Sequence, residues 1–427
     1  MRKKAVISLS ILLAGTAVAS SMMSSYYQSE HAKAVSELNQ DLFLQNMRMQ
    51  CSTETRWFGV SLEETCTLER LGDPLVLLEV WHKVFITPVW SQGKFGITPN
   101  KGFFIEFFDL NPLVATQEGK WHFSLPSLSI AYSYTTGALH STSMPDSELQ
   151  LDPITLSGRT KVIEPFKTQA SLNIPKIDLT QPFQTIKVSG FKVETQSNLM
   201  NSTPFIEHSS VSLNSLSFST GIDTARFEGL SIVQENALKN GRLDTSNKIE
   251  LSSFHHKKED GSLSFNDNKL HLSFTGVDWN GLQEINNQVS LDDPAVAEDF
   301  QVLLAKGLTF NLDTLESNFR SLASSGTIAG PSGALTLNGQ ATLNAVDPQK
   351  QDNSIDNRLN AQFLLELSDE LLVGPQAGMM QDFIEQGWLI PNGNMLTASI
   401  QFKDGFLLAN DEIVSSLAMI PESLESH

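Results

Sequence analysis

The chain has 427 residues, enough for one large or two ordinary domains with cores of their own. Its 48 acidic residues against 29 basic ones give a formal charge of −19, which repels nucleic acid and anionic headgroups and excludes both as default partners. The aromatic balance, 25 Phe against 4 Tyr and 6 Trp, asks for a β-rich core or an apolar groove, because Phe carries no polar handle.

Arg2, Lys3 and Lys4 precede an uncharged run from Ala5 to Ser29. A basic start before an apolar run addresses a chain to the secretion machinery and leaves the basic end in the cytoplasm. Two outcomes compete. Ala17-Val18-Ala19 is a small-x-small signal for cleavage after Ala19. Retention is the other outcome, since Ala5 to Met23 is near the ~20 residues that span a bilayer, although Ser8, Ser10, Thr16, Ser20 and Ser21 dilute it. Either way the rest of the chain lies outside the cytoplasmic membrane. The spacing predicts a helix over Tyr26 to Met47, with Val35, Leu38 and Leu42 as one apolar stripe on a polar rod. It reads as a stalk or as a helix docked on the domain.

Cys51 and Cys66 are the only cysteines, 15 positions apart. In an oxidising compartment such a pair is most simply one disulfide; two free buried thiols are the alternative. Beyond Cys51, period-two stretches dominate. Phe103 to Phe108 is apolar on both faces except at Glu106 and reads as a strand covered on both sides. Leu128, Ile130 and Tyr132 alternate, as do Ile249 and Leu251. Pro165 to Pro182 offers a separation between two halves. Leu263 and Phe265, the polar run Asn266-Asp267-Asn268, then Leu270, Leu272 and Phe274 read as a hairpin. A helix is expected from Pro294 to Lys306, with Asp293 as N-cap, Gly307 as stop and Val296, Phe300, Leu303 and Leu304 as its stripe. Leu335, Leu337, Ala341 and Leu343 alternate. A second helical region, Asp369 to Gln386, is interrupted by Gly374-Pro375. Leu396, Ala398, Ile400 and Phe402, the turn Asp404-Gly405, then Phe406 and Leu408 form a closing hairpin.

No motif assembles a reaction. There is no dinucleotide fingerprint, P-loop or zincin His pair. Gly330-Pro331-Ser332-Gly333 lacks the nucleophile-elbow spacing and reads as a loop between Thr327 and Leu335. His255-His256, followed by Lys257 and Lys258, is the only His cluster; neighbours on a strand face opposite ways, so it reads as a solvated strand end and not a metal site. His82, among Val80, Trp81, Val84 and Phe85, reads as a satisfied strand residue. Glu106 reads as a sheet-edge or paired carboxylate, Asp292-Asp293 as capping, and Asn201-Ser202-Thr203 as a glycosylation match without weight.

Several segments resemble the YdgA-like bacterial family (domain of unknown function 945). They are the leader with its polar helix, Ala225-Arg226-Phe227-Glu228-Gly229-Leu230 and Phe274-Thr275-Gly276-Val277-Asp278-Trp279. Gly387-Trp388-Leu389, Leu396 to Phe402 and Asp404-Gly405-Phe406-Leu407-Leu408-Ala409-Asn410 resemble that family's closing hairpin. The likeness is best from Phe205 to Asn410; His82-Lys83 stands where members often carry a His-Gly-Pro turn. The resemblance implies a Gram-negative protein anchored in the inner membrane, single-pass, and facing the periplasm. The family brings no established activity and no catalytic residues.

The sequence therefore predicts a β-dominated α+β protein with a large, twisted antiparallel meander sheet and short covering helices. The expected order is a signal anchor (1–25), a polar stalk helix (26–50), a β-rich part (51–200) and a second β-rich part (201–427) continuing the same sheet. The expected role is binding or scaffolding in the envelope, without catalysis, metal or cofactor. A lipid-handling trough in a curled sheet is the alternative, and a hydrolase stands third. Expected partners are the inner membrane, an envelope protein or lipid, and a second copy of the chain.

Overall fold

The computed structural model describes residues 46–56, 60–72, 76–87, 90–99, 113–114, 117–144, 147–161, 166–200, 203–286, 302–349, 353–373 and 376–416, with scattered helical positions between 25 and 43. It is 71% strand. The chain forms two compact units, one ending at Ile206 and the other starting at Glu207.

The first unit holds β1 (Met47–Arg56), β2 (Ser61–Arg70), β3 (Val76–Ile86), β4 (Trp90–Pro99), β5 (Leu113–Val114), β6 (Gln117–Ser124), β7 (Ser129–Thr135), β8 (Leu139–Met144), β9 (Ser147–Leu151), β10 (Thr155–Lys161), β11 (Lys167–Gln181) and β12 (Gln184–Met200). Strands β1 to β4 pair in sequence, and β6, β7, β10, β11 and β12 continue the antiparallel sheet. Strand β9 lies on the far half of β11, beside β10, and carries β8 and then β5. Strand β2 shows why it forms: Leu62, Glu64, Cys66 and Leu68 alternate inward, so one face is buried at period two. Leu62 faces Val84 across the ladder, and with Ile86 they make a small core, each at most 3% exposed. Nearby, aromatic rings lie flat over cross-strand glycines. A Cβ on Gly119 would sit 2.1 Å from the Phe95 ring, and one on Gly93 2.2 Å from Trp121.

The leading helix docks on the outer strand. Asn39 accepts from the Met49 N–H at 2.7 Å and donates to its carbonyl at 3.0 Å, while Leu42 packs on Met47, Leu68 and Leu78. The docking residue is thus Asn39, and Leu38 is exposed. An amide at that position satisfies both backbone groups of an edge strand, which Leu cannot do. The helix does not reach Met47: Asn46 turns the chain at φ 57° and Met47 begins β1. Two further expectations are corrected here. Leu128 lies in a turn at φ 44° ahead of β7, and Pro165 to Pro182 contains β11.

The second unit holds most of β13 (Thr203–Ser219), which begins just before its boundary, and β14 (Thr224–Lys239), β15 (Arg242–Lys258), β16 (Gly261–Asp278), β17 (Leu308–Ala323), β18 (Ile328–Leu343), β19 (Leu359–Ser368), β20 (Ile390–Asn392), β21 (Met395–Lys403), β22 (Phe406–Ala409) and β23 (Glu412–Ser416). Strands β13 to β19 form an up-and-down meander. Strand β21 follows β19 and carries β20 and β22 on its outer side, and β23 pairs with β22. The closing hairpin turns at Asp404 (φ 52°) and Gly405 (φ 79°), as the sequence pattern requires.

The long strands change phase in their middle. Asn214, Gly229, Ser252 and Asp267 drop out of the ladders at one level across β13 to β16, between the rungs Leu213–Leu230–Leu251–Asn268 and Ser215–Glu228–Ser253–Asn266. Gly229 (φ 64°) and Asp267 (φ 54°) take left-handed backbone there. Each such residue rotates the strand, so apolar side chains spaced by three share a face: Leu213 with Leu216, Phe227 with Leu230, Leu251 with Phe254. This overturns the hairpin expected at Asn266-Asp267-Asn268, because β16 runs straight through it. Asn268 donates to the Leu251 carbonyl and accepts from Ser317, which holds the irregular stretch in place. Gly330 to Gly333 is likewise part of β18, not a loop. Pro331 sits where the register against β17 shifts, a site that needs no ladder donor.

Short helices cover part of this sheet. The 3-10 turn Asp369–Leu372 and the helix Ala377–Glu385 pack Leu371 and Met380 on Leu367, Leu396 and Ala398. Gly374-Pro375, the expected interruption, falls between these two pieces in sequence and lies outside the described residues. Of the helix predicted from Pro294 to Lys306, positions 302–305 are helical and Gly307 (φ 70°) ends it; Asp293, Pro294, Val296 and Phe300 lie outside the described residues.

Candidate functional site: an uncovered apolar face

The second unit's sheet has two chemically opposite faces. One carries the rung Val211–Ile232–Ile249–Leu270–Leu315–Leu337–Leu365–Ala398, apolar across eight strands. Phe227, Phe254, Phe265 and Phe319 form a second rung on this face, with ring centroids 4.5, 6.1 and 6.4 Å apart in turn. Such ring contacts, two tilted and one stacked, add to burial. The other face is polar. Lys269 pairs with Glu316 at 2.8 Å and His271 with Glu250 at 3.0 Å. The Lys269 hydrogen bond holds the Glu316 carboxyl below its usual range, and Glu316 in turn raises the Lys269 ammonium.

Cover on the apolar face is incomplete. Over β18 to β21 the helix Ala377–Glu385 fills it, with Phe319 at the border. At the opposite strand ends, Leu303 packs on Val277, Leu282 and Leu308. Between them, Phe227, Leu230, Ile249, Leu251, Phe254, Phe265, Leu270 and Leu315 line a trough of about 430 Å3, within the size range of ligand sites. No residue of β14 is fully buried, and every apolar wall residue of the trough is only partly buried. Among the described residues nothing closes it.

A polar clasp fixes the sheet end beyond the trough. Asp278 is buried; it pairs with Lys306 Nζ at 2.8 Å and accepts from the Gly281 N–H at 2.9 Å. Burial alone would raise this carboxyl, but Lys306, the Gly281 N–H and Arg242 together outweigh it and hold it below its ordinary value. Arg242 donates to the carbonyls of Gly276, Gly307 and Lys306, and Arg358 to that of Leu304.

The residues singled out in the sequence fall elsewhere. Cys51 and Cys66 face each other across β1 and β2 and are joined by a disulfide. Buried Glu64 beside them accepts from Thr53; a bonded cysteine pair offers no thiolate to a metal. His82 accepts from the Trp121 indole at 2.8 Å, edge-on to Phe95. His255 is exposed at the end of β15, and His256 lies 6.4 Å from the Phe254 ring. Ser332 is buried inside β18. Arg2, Lys3, Lys4, Ala19, Phe103 to Phe108 with Glu106, Asn201-Ser202 and Asp292-Asp293 lie outside the described residues. Among the described residues no helix is long and apolar enough to cross a membrane. The trough residues were not legible as a site. They come from four strands, and the only sequence signals were the Phe excess and the spacing of three inside period-two stretches. Comparison with protein-family models, with characterised proteins and with solved structures finds no match to this chain.

Proposed function

We propose that this is a non-catalytic envelope protein that holds the acyl chain of a membrane lipid on the uncovered apolar face of its second unit. The leader retains it in the bacterial inner membrane, with both units in the periplasm. The carrying observation is the partly buried apolar trough around Phe227, Phe254 and Phe265. Apolar surface left facing water forgoes about 25 cal/mol per Å2, so a groove walled by apolar side chains gains from an apolar occupant. Composition alone favours a scaffold, since a filled Phe-rich core explains the Phe content. A scaffold, however, would fill this face, and the trough turns the preference toward a ligand that is long, thin and apolar. The location rests on Arg2, Lys3, Lys4 and the uncharged run behind them, with the resemblance to the YdgA-like family.

Native mass spectrometry of the full chain released from detergent micelles tests this. Phospholipid is expected at near-stoichiometric level on the wild type and lost from Phe254→Asp, provided circular dichroism keeps its strand signature. Leu251→Ser, nearer the middle of the trough, should weaken the adduct if the first variant fails to fold. No adduct after several lipid additions would remove the proposal.

A further inference from the structure

The polar face of the second unit, opposite the trough, carries a depression of its own. Its floor is β18, where Ser332 and Ala334 are small. Asn318 and Arg320 of β17 stand on one side of them, with Asn266 of β16 behind; Ser368 and Glu370 stand on the other. Longer side chains around short ones leave a pocket of about 590 Å3, within the size range of ligand sites. Strand β19 pairs with β18 only from Leu335 on. Among the described residues, the β18 edge from Ser332 to Ala334 therefore has no strand neighbour on that side.

Three groups in this pocket are uncommitted. Ser332 is 7% exposed, and its hydroxyl has no hydrogen-bond partner among the described residues. A buried hydroxyl without a partner is costly, and a ligand atom would relieve that cost. Arg320 and Glu370 line the same pocket, yet among the described residues they pair neither with each other nor with another charge. Arg226, Lys239, Lys269 and Lys306 of this unit all sit in ion pairs. Opposite charges that line one pocket without meeting fit a ligand that carries both. Asn266 and Asn318 add side-chain amides, each with donors and an acceptor, the complement of a peptide bond. An open strand edge offers the same complement from the backbone. We infer that the pocket binds a short peptide with both ends free, its carboxylate at Arg320 and Ser332 and its ammonium at Glu370. Arg320 and Ser332 are cross-strand partners, so one carboxylate reaches both. The site does not depend on the acyl-chain reading.

Isothermal titration calorimetry of the full chain in micelles tests this, with L-alanyl-L-alanine, its N-acetyl form and its C-terminal amide as probes. The free dipeptide should bind, and blocking either end should weaken it about tenfold, the scale of a hydrogen bond to a charged group. Arg320→Gln should weaken the free dipeptide about as much while leaving the C-terminal amide unchanged. Glu370→Gln should do the same for the ammonium end, leaving the N-acetyl form unchanged. Both side chains are exposed, so these variants should keep the fold. Ser332→Ala should weaken the carboxylate-bearing probes by a smaller factor. Phospholipid adducts on the trough should be the same in all three variants. No binding of the free dipeptide, or an affinity unmoved by the end blocks, would overturn the assignment. Sensitivity at one end alone would overturn it as well, because a single charge would then account for the site.

Discussion

Asp278 is buried at the end of β16, where an unpaired carboxylate would be costly, and three partners resolve that cost. Its folded pKa is lowered, so its stabilisation is complete above the unfolded value and is lost as pH falls through the folded one. Asp278→Asn keeps the cap to Gly281 and removes the charge opposite Lys306. The variant should be less stable than the wild type by about 1–3 kcal/mol at neutral pH. The gap should close as pH drops below the ordinary value of 3.8. Paired thermal melts from pH 7 to pH 3 read this directly; a gap that stays constant into acid would mean that the ion pair contributes nothing. None of this is visible in sequence, where Asp278 is only a residue before a helix and Lys306 lies far along the chain. His82 was more legible. A lone His in an apolar run needs one partner, and the Trp121 indole supplies it.

The elements differ in legibility for a physical reason. The closing hairpin was readable because alternation stops at Asp404-Gly405 and resumes in phase on the return strand. Asn266-Asp267-Asn268 carries the same chemistry, since polar residues tolerant of positive φ serve a reversal or a mid-strand change of phase equally well. What decides is whether Phe265 and Leu270 must share a face within one strand, and only the neighbouring strands show that they do. The first hairpin carries its own test. With Cys51 bonded to Cys66, alkylation without reductant should leave the intact mass unchanged. Loop closure over a separation of 15 residues predicts that Cys51→Ser with Cys66→Ser costs about 3 kcal/mol. Two alkylated thiols on the untreated protein would contradict the bond.

At the scale of the whole molecule, strand dominance and antiparallel pairing followed from period-two patterning, whereas the opening of one face did not. Alternation records which side of a strand is apolar and cannot record whether anything covers that side. The leader sets the remaining expectation. The full chain should fractionate with membranes and resist release by salt; a soluble product beginning near Ser20 would show cleavage instead. The line of ladder interruptions at Asn214, Gly229, Ser252 and Asp267 has a mechanical consequence. Two plates of regular sheet meet there along a crease, which we expect to bend more easily than either plate. Flexing about the crease would widen or narrow the trough while the ladders on either side stay whole, so a chain of variable thickness could be gripped without unfolding. The amides along the crease should then exchange with deuterium sooner than those of the flanking plates.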